Sequence, residues 1–550
     1  MSKTNLTLKL LVLIAILANM VGMYYPLVTS TFSPYYGSIA KQIVVSNNWY
    51  DLMFCGHDWL DKPHLPFWLT AISYKIFGIH SYSYILPGFI FYLFGVFYTY
   101  RLAKHFYNSQ TGWLAVLFTV TALHLLLSAI DVRAEAYLIG TIMPACYYWL
   151  MYDLNNKKSE LFLGAVFSAL ALMIKGPFVM VTIISGIAML WIYQGKYRNF
   201  ISAKWIIALI LSFILIFPEL IALYHQFDAN PQKYVYGHTD VSGIKWFFWG
   251  SQFGRFFNTG AIVTTNPPPL HILFYVYTFF WAYLPWWPIF YVALFGMIFS
   301  FKKSTTKHKE AIVYLLGSFF ITFIMFSLTT FQVDHYTNIL FPFASIICAS
   351  YFQKYLKAAP NKILEYIELV LAFILVIVGI IAVVLLIDGI AKILLLGVLG
   401  AVLIIFGFSY NSKLRILIYP AVAISGLFIV VTSVNGLAYA RYDAGYQIAK
   451  VYNQQKNITI IGYQLRDLLS LDINSKNTYI PADNVDQINP ASNDTYVVAN
   501  ADNQKAILEH IPNAKVVDQF EGLSIEAFLA GIIDKSHLTK DLKHFVVIKI

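Results

Sequence analysis

Long apolar runs alternate with short polar stretches along most of the 550 residues. Because roughly 20 apolar residues cross a bilayer, the pattern predicts about thirteen spans. They lie near 8–29, 82–100, 111–129, 136–152, 160–174, 177–194, 204–223, 269–300 (a long run), 311–328, 337–353, 364–387, 393–409 and 415–436. The first run, Leu8 to Val28, lacks a small-residue cleavage site and reads as a retained helix rather than a signal peptide. A long first loop, 30–81, separates the first two spans, and its segments 34–46 and 64–78 read as short amphipathic helices lying at the interface. After about residue 437 the texture changes. Short β-branched runs (Ile458–Ile461, Tyr496–Val498, Phe545–Ile548) alternate with Asn, Asp and Pro, and one helical pattern covers Asn503 to His510. The expected fold is therefore a polytopic all-α membrane protein with a small C-terminal α/β soluble domain. The transmembrane domain would cover 1–436, with large outer loops 30–81 and 224–268, and the soluble domain 437–550.

Composition supports the membrane class, since 59% of residues are hydrophobic and only 12% charged, against roughly 25% in a soluble protein. The net charge of +10 would suit a nucleic-acid partner if the cations shared one face, but they fall mostly in short loops between spans. Every second loop is basic, with Arg101 and Lys104, Lys157 and Lys158, Lys196, Arg198 and Lys204, Lys302 to Lys309, Lys354 to Lys362, and Lys413 with Arg415. The positive-inside rule makes these cytoplasmic. The opposite loops and everything after 437 then face outward. Three cysteines, Cys55, Cys146 and Cys348, form no disulfide framework.

Ionisable residues gather on that outward side. The first loop offers Asp58, Asp61, Lys62 and His64 between two apolar segments. The turn after the third span brings Asp131, Arg133 and Glu135, and a lysine stands at the break Lys175-Gly176-Pro177. Lys245 and Arg255 lie in the loop 224–268, and Asp334, His335 and Tyr336 in the turn 329–336. Taken singly, Glu135 suits a helix start and Lys175 a snorkelling position. Together, cations and carboxylates in a water-accessible membrane cavity suit an anionic, partly lipidic substrate. The cations would clamp phosphate, and the carboxylates would hold sugar hydroxyls or serve as a general base. Histidines 57, 64, 225, 238, 271 and 335 lack the i,i+4 spacing of a helical metal site, so no catalytic metal or other cofactor is expected. A transporter would show inverted repeats and polar residues near the midplane of broken helices, and a binding scaffold would not account for Lys62, Arg133, Lys175 and Arg255 on one side.

Four places resemble the GT-C membrane glycosyltransferases of the protein mannosyltransferase type, and within them the bacterial lipid A aminoarabinose and hexosamine transferases. Tyr36 to Ala40 followed by Gly56 to Trp68 is similar to their first periplasmic loop. Its acid-Lys-Pro-Pro-Leu run reads here Asp61-Lys62-Pro63-His64-Leu65. Lys75 to Gly78 is similar to the end of the next helix, and Lys175-Gly176-Pro177 to a Lys-Gly-Pro turn. Arg255-Phe256, Leu284-Pro285-Trp286 and Tyr336 to Pro342 resemble later landmarks. The similarity covers the membrane region to about residue 350; beyond that only the layout agrees.

The resemblance implies a polyprenyl-phosphate sugar donor and transfer outside the cytoplasmic membrane, which points to a bacterial inner membrane with the site on the periplasmic side. It implies that Lys62 and Arg255 contact the donor phosphate and that Arg133 and Glu135 occupy a second acidic position. Asp61 would orient Lys62, and Glu135 would hold sugar hydroxyls or the amino group of an aminosugar. Where the family has an Asp-Glu pair before the tyrosine, this chain has Phe32 and Ser33. A phosphate acceptor, already ionised at neutral pH, tolerates that loss better than a hydroxyl does. Lipid A phosphate is therefore the expected acceptor, with protein and polysaccharide as alternatives. Asp58, Asp61 and Asp131 remain candidates to replace the missing acid.

Overall fold

The computed structural model describes residues 3–25, 33–131, 134–259, 261–263, 271–355, 361–455, 457–465, 468–489, 494–523 and 540–550. Phe32, the side chain of Ser33, and Arg133 lie outside the described residues. The chain divides into two compact units. One comprises Met1–Met23, Leu60–Pro66 and Ile85–Val431; the other comprises Tyr24–Trp59, Phe67–Tyr84 and Thr432–Ile550.

The first unit is built of apolar helices. Among the described residues six helices are long and apolar enough to cross a membrane, or eight if each bent pair is one span. Other predicted spans fall on shorter apolar helices such as Val179–Gln194, or on Glu135–Asn155 and Lys158–Lys175, whose ends carry charge. Two predicted spans are bent. Ser109–Val120 meets Leu123–Ile130 at 67°, and Ala203–Ile214 meets the segment starting at Phe217 at 41°. At the first bend the Leu123 N–H donates to the carbonyl of Leu284 (2.9 Å) and Trp286 Nε1 donates to Thr121 Oγ1 (2.8 Å). Backbone freed from a helix in this apolar surrounding must find such partners. The run 269–300, expected as one long span, is two helices, Phe274–Ala282 and Trp287–Ser300. Pro285 and Pro288 supply no N–H to bridge the gap between them. Elsewhere helices approach closely through small residues: a Cβ at Gly140 would lie 2.2 Å from the Phe91 carbonyl oxygen.

The second unit joins the first loop to the C-terminal region. In the loop, helices Ser33–Ser46 and Leu65–Phe77 flank a small antiparallel hairpin of β1 (Met53–Phe54) and β2 (His57–Asp58). The C-terminal sheet has β3 (Thr459–Tyr463), β4 (Thr478–Ala482), β5 (Thr495–Asn500), β6 (Lys515–Gly522) and β7 (Lys543–Lys549). Their order is β4-β3-β5-β7-β6. The first three are parallel, and β7 runs antiparallel to both its neighbours. Alternate residues of the strands enter two separate cores. Ile460, Val498 and Val547 pack on one face, and Ile461, Val497 and Ile548 on the other. Both faces are covered, so these strands read as continuous apolar runs rather than as alternation.

Helix Ser33–Ser46 is fastened to the C-terminal part by buried charge. Lys41 Nζ lies 3.2 Å from Asp472 Oδ1, with the two side chains 5% and 3% exposed. The same ammonium donates to the carbonyls of Asp472 and Ser475 (3.0 Å). Ser38 Oγ donates to the other carboxylate oxygen. Lys41 thus serves the last carbonyls of helix Leu469–Asn474, where a cation is favoured. On the hairpin, His57 Nε2 sits 2.8 Å from Asp483 Oδ2 at the surface.

Candidate active site

Local chain geometry brings the cations of the first unit together. Asp61, Lys62 and Pro63 precede helix Leu65–Phe77, whose Pro66 occupies a first-turn position that needs no amide hydrogen. Lys175 ends helix Lys158–Lys175, and Gly176 follows at φ +89°. That left-handed conformation suits glycine, and a Cβ here would also lie 2.4 Å from Gln252 Nε2. Gln252 clamps the turn from both sides: its amide nitrogen donates to the Lys175 carbonyl (3.0 Å), and its oxygen accepts from the Phe178 N–H (3.3 Å). Gln252 and Arg255 come from one segment, the wide π-type turn Trp246–Gly254 and the residue that follows it. Such turns are frequent at functional sites because they shift side chains out of ordinary helical register.

Two charged groups result. In the first, Lys62 Nζ is 2.8 Å from Asp61 Oδ2, and Arg255 Nη2 donates to Asp61 Oδ1. Burial by itself would raise the Asp61 pKa, but the adjacent Lys62 and Arg255 charges outweigh it and hold it at about 2. Burial likewise disfavours the charged Arg255, and the Asp61 carboxylate reverses this and raises its pKa. Phe331 lies beneath the guanidinium, 5.4 Å from ring centroid to Cζ. Arg255 Nε is buried and makes no hydrogen bond among the described residues. In the second group Lys175 Nζ donates to Glu135 Oε1 (2.6 Å) and sits 3.9 Å from the centroid of the Tyr336 ring. His335 Nε2 is 3.9 Å from the same Glu135 oxygen, and its Nδ1 is 3.1 Å from Asp334 Oδ1. The His335 hydrogen bond is the main cause that lowers the Asp334 pKa to about 2.

Both groups border one partly open cavity. Asp61, Lys62, Lys175, Arg255, Gln252 and Tyr336 contribute its polar lining, and Phe178, Val179, Phe256, Met325, Phe326 and Ile339 its apolar walls. Glu135, Asp334 and His335 stand behind Lys175 and Tyr336 rather than on the cavity wall. Asp131 closes the end of helix Leu123–Ile130. His64 does not line the cavity. It is 1% exposed, and its Nδ1 lies 2.9 Å from Glu219 Oε1. Asp58 is on β2, in the other unit. Sequence reasoning missed Gln252 and Glu219. Glu219 had a signal, as a lone acid inside an apolar run, the kind of residue that seldom lies in a membrane segment without a role.

The pH response of these acids follows from their direction. Both carboxylates are depressed from their unfolded value of ~3.9, so their stabilisation is complete above that value and is lost as pH falls through about 2. Thermal unfolding in detergent is therefore expected to show no pH-dependent contribution from Asp61 or Asp334 between pH 5 and 8. An Asp61→Asn variant whose stability difference from wild type changes across that range would contradict this assignment.

Comparison with known proteins agrees with this architecture. Residues 61–221 match the family model described as dolichyl-phosphate-mannose-protein mannosyltransferase. An uncharacterized protein of Aquifex aeolicus (strain VF5) is 28% identical over 147 residues, 26% of this chain and 29% of that protein. The undecaprenyl phosphate-alpha-4-amino-4-deoxy-L-arabinose arabinosyl transferase of Shewanella sediminis (strain HAW-EB3) is 24% identical over 227 residues, covering 40% of this chain and 39% of that protein. The matched stretches thus span well under half of these relatives. In three dimensions the likeness is longer. The structure of ArnT from Cupriavidus metallidurans bound to undecaprenyl phosphate superposes over 100% of this chain and 99% of its own, with a TM-score of 0.72 at 13% identity. The apo form of the same protein gives 0.69 at 14% identity. The chain therefore has the fold of ArnT from Cupriavidus metallidurans.

Proposed function

We propose that this protein moves a sugar, an aminosugar or hexose, from a polyprenyl-phosphate carrier to a lipid A phosphate on the periplasmic side of the bacterial inner membrane. The observation that carries the reading is the cavity. Three cations, Lys62, Lys175 and Arg255, and one carboxylate, Asp61, line a cavity whose remaining wall is mostly aromatic and aliphatic. A lipid phosphate needs both parts, fixed positive charge for its head and apolar walls for its chain. Undecaprenyl phosphate is also what ArnT of Cupriavidus metallidurans holds in its structure.

The chemistry is a direct displacement at the anomeric carbon. The acceptor oxygen forms the new bond as the bond to the carrier phosphate breaks and the electron pair leaves with that phosphate. Lys62 and Arg255 stabilise the charge that develops on the leaving group, where preorganised cations are most effective. No step is assigned to a metal or other cofactor. The acceptor is drawn as a phosphate because Asp61, at about 2, is too weak a base to take a hydroxyl proton near neutrality, and Glu135 is engaged by Lys175. The loop charges support about thirteen crossings, with the first loop, 224–268 and 437–550 outside.

Mass spectrometry of lipid A tests the proposal in cells with the protein, without it, and with Lys62→Ala. The null and the variant are both expected to lose one hexosamine or pentosamine unit. An unchanged lipid A would overturn the acceptor, and loss in the null alone would remove Lys62 from the mechanism.

A further inference from the structure

We propose that Glu219 is a positioning residue for the Asp61–Lys62 arm, acting through His64; the inference rests on the donor-phosphate role given to Lys62. Glu219 lies in the short helix Phe217–Leu223, just past the 41° bend, and is fully buried at 0% exposure. Its two oxygens accept from the His64 backbone N–H at 3.2 and 3.0 Å, and Oε1 also faces His64 Nδ1 at 2.9 Å. A carboxylate removed from water is tolerated only when its lone pairs are met. Here they are met by the peptide two residues beyond Lys62.

The grip reaches Lys62 through a stiff connection. Pro63 fixes its own φ and confines the backbone of the residue before it, so few soft torsions separate the Lys62 Cα from the anchored His64 amide. The run Asp61-Lys62-Pro63-His64 departs from acid-Lys-Pro-Pro at its last position. A second proline there would have neither an N–H nor an imidazole to offer Glu219. In this chain a hydrogen-bonded anchor stands where a second ring would restrict the backbone. Lys62 then presents its ammonium to the cavity with its other contact, Asp61, already in place.

The experiment is a double-mutant cycle on the full-length protein, with direct binding of undecaprenyl phosphate in detergent as readout. Glu219→Leu is expected to weaken binding about tenfold, and Glu219→Gln, whose amide oxygen still accepts from the His64 N–H, to recover most of it. In a Lys62→Ala background Glu219→Leu should cause no further loss, a result that a merely structural role would not give. Should Glu219→Leu fail to fold, His64→Ala takes its place; it keeps the N–H but drops the imidazole contact, and about threefold weaker binding is expected, again absent beside Lys62→Ala. Equal losses with and without Lys62 would overturn the inference, as would wild-type binding by Glu219→Leu. A wild-type protein that does not bind the carrier would instead overturn the donor reading, and this inference with it.

Discussion

Arg255→Ala is expected to lower turnover by roughly 10²–10³-fold, the range seen when one fixed charge-stabilising donor is removed. The residue is asked to do two things. It faces the position given to the leaving phosphate, and it holds the Asp61 carboxylate whose other oxygen holds Lys62. Losing it removes one cation and leaves Asp61 free to draw Lys62 away from the phosphate. Arg255→Lys should rescue little, because an ammonium cannot span Asp61 and a phosphate in one plane as a guanidinium fork does. Single-turnover release of polyprenyl phosphate from a labelled donor measures the effect. A loss under about threefold in the alanine variant would place the charge stabilisation elsewhere.

The largest stability effect is expected at Asp472. Replacing it with alanine leaves Lys41, 5% exposed, as an unpaired buried cation, and breaking such a pair costs about 3–5 kcal/mol. The double replacement Lys41→Met with Asp472→Leu removes both charges together and should recover most of that loss. Thermal unfolding in detergent, with limited proteolysis of the first loop, measures both. A single variant as stable as wild type would mean that water reaches the Lys41 ammonium.

Much of the candidate site was legible because it breaks a strong local pattern. Asp61-Lys62 and Lys175-Gly176-Pro177 interrupt apolar sequence, and the structure brings Asp61, Lys62, Lys175 and Arg255 to one cavity wall. Gln252 was not legible, because an amide in an aromatic loop carries no charge signal and its partners are backbone atoms of a distant turn. The layered C-terminal strands were readable from their β-branched runs, but the division of the chain was not. Lys41 and Asp472 are 431 positions apart, and no periodicity links a loop helix to a strand-rich tail so distant. The break within 269–300 has its cue in Pro285 and Pro288, which interrupt one long apolar run.

The unit that joins the first loop to the C-terminal sheet also imposes an order on biogenesis. Lys41 leaves the ribosome long before the carboxylate that neutralises it: at about 5–20 residues per second, a separation of 431 residues is roughly 20–90 s. Through that interval the first-loop helix stands in water without its partners, while the intervening helices enter the bilayer one after another. A stalled or truncated chain would present this half-finished unit to proteases. Quality control can then sense completion of the last strands through the fate of one of the earliest segments to emerge.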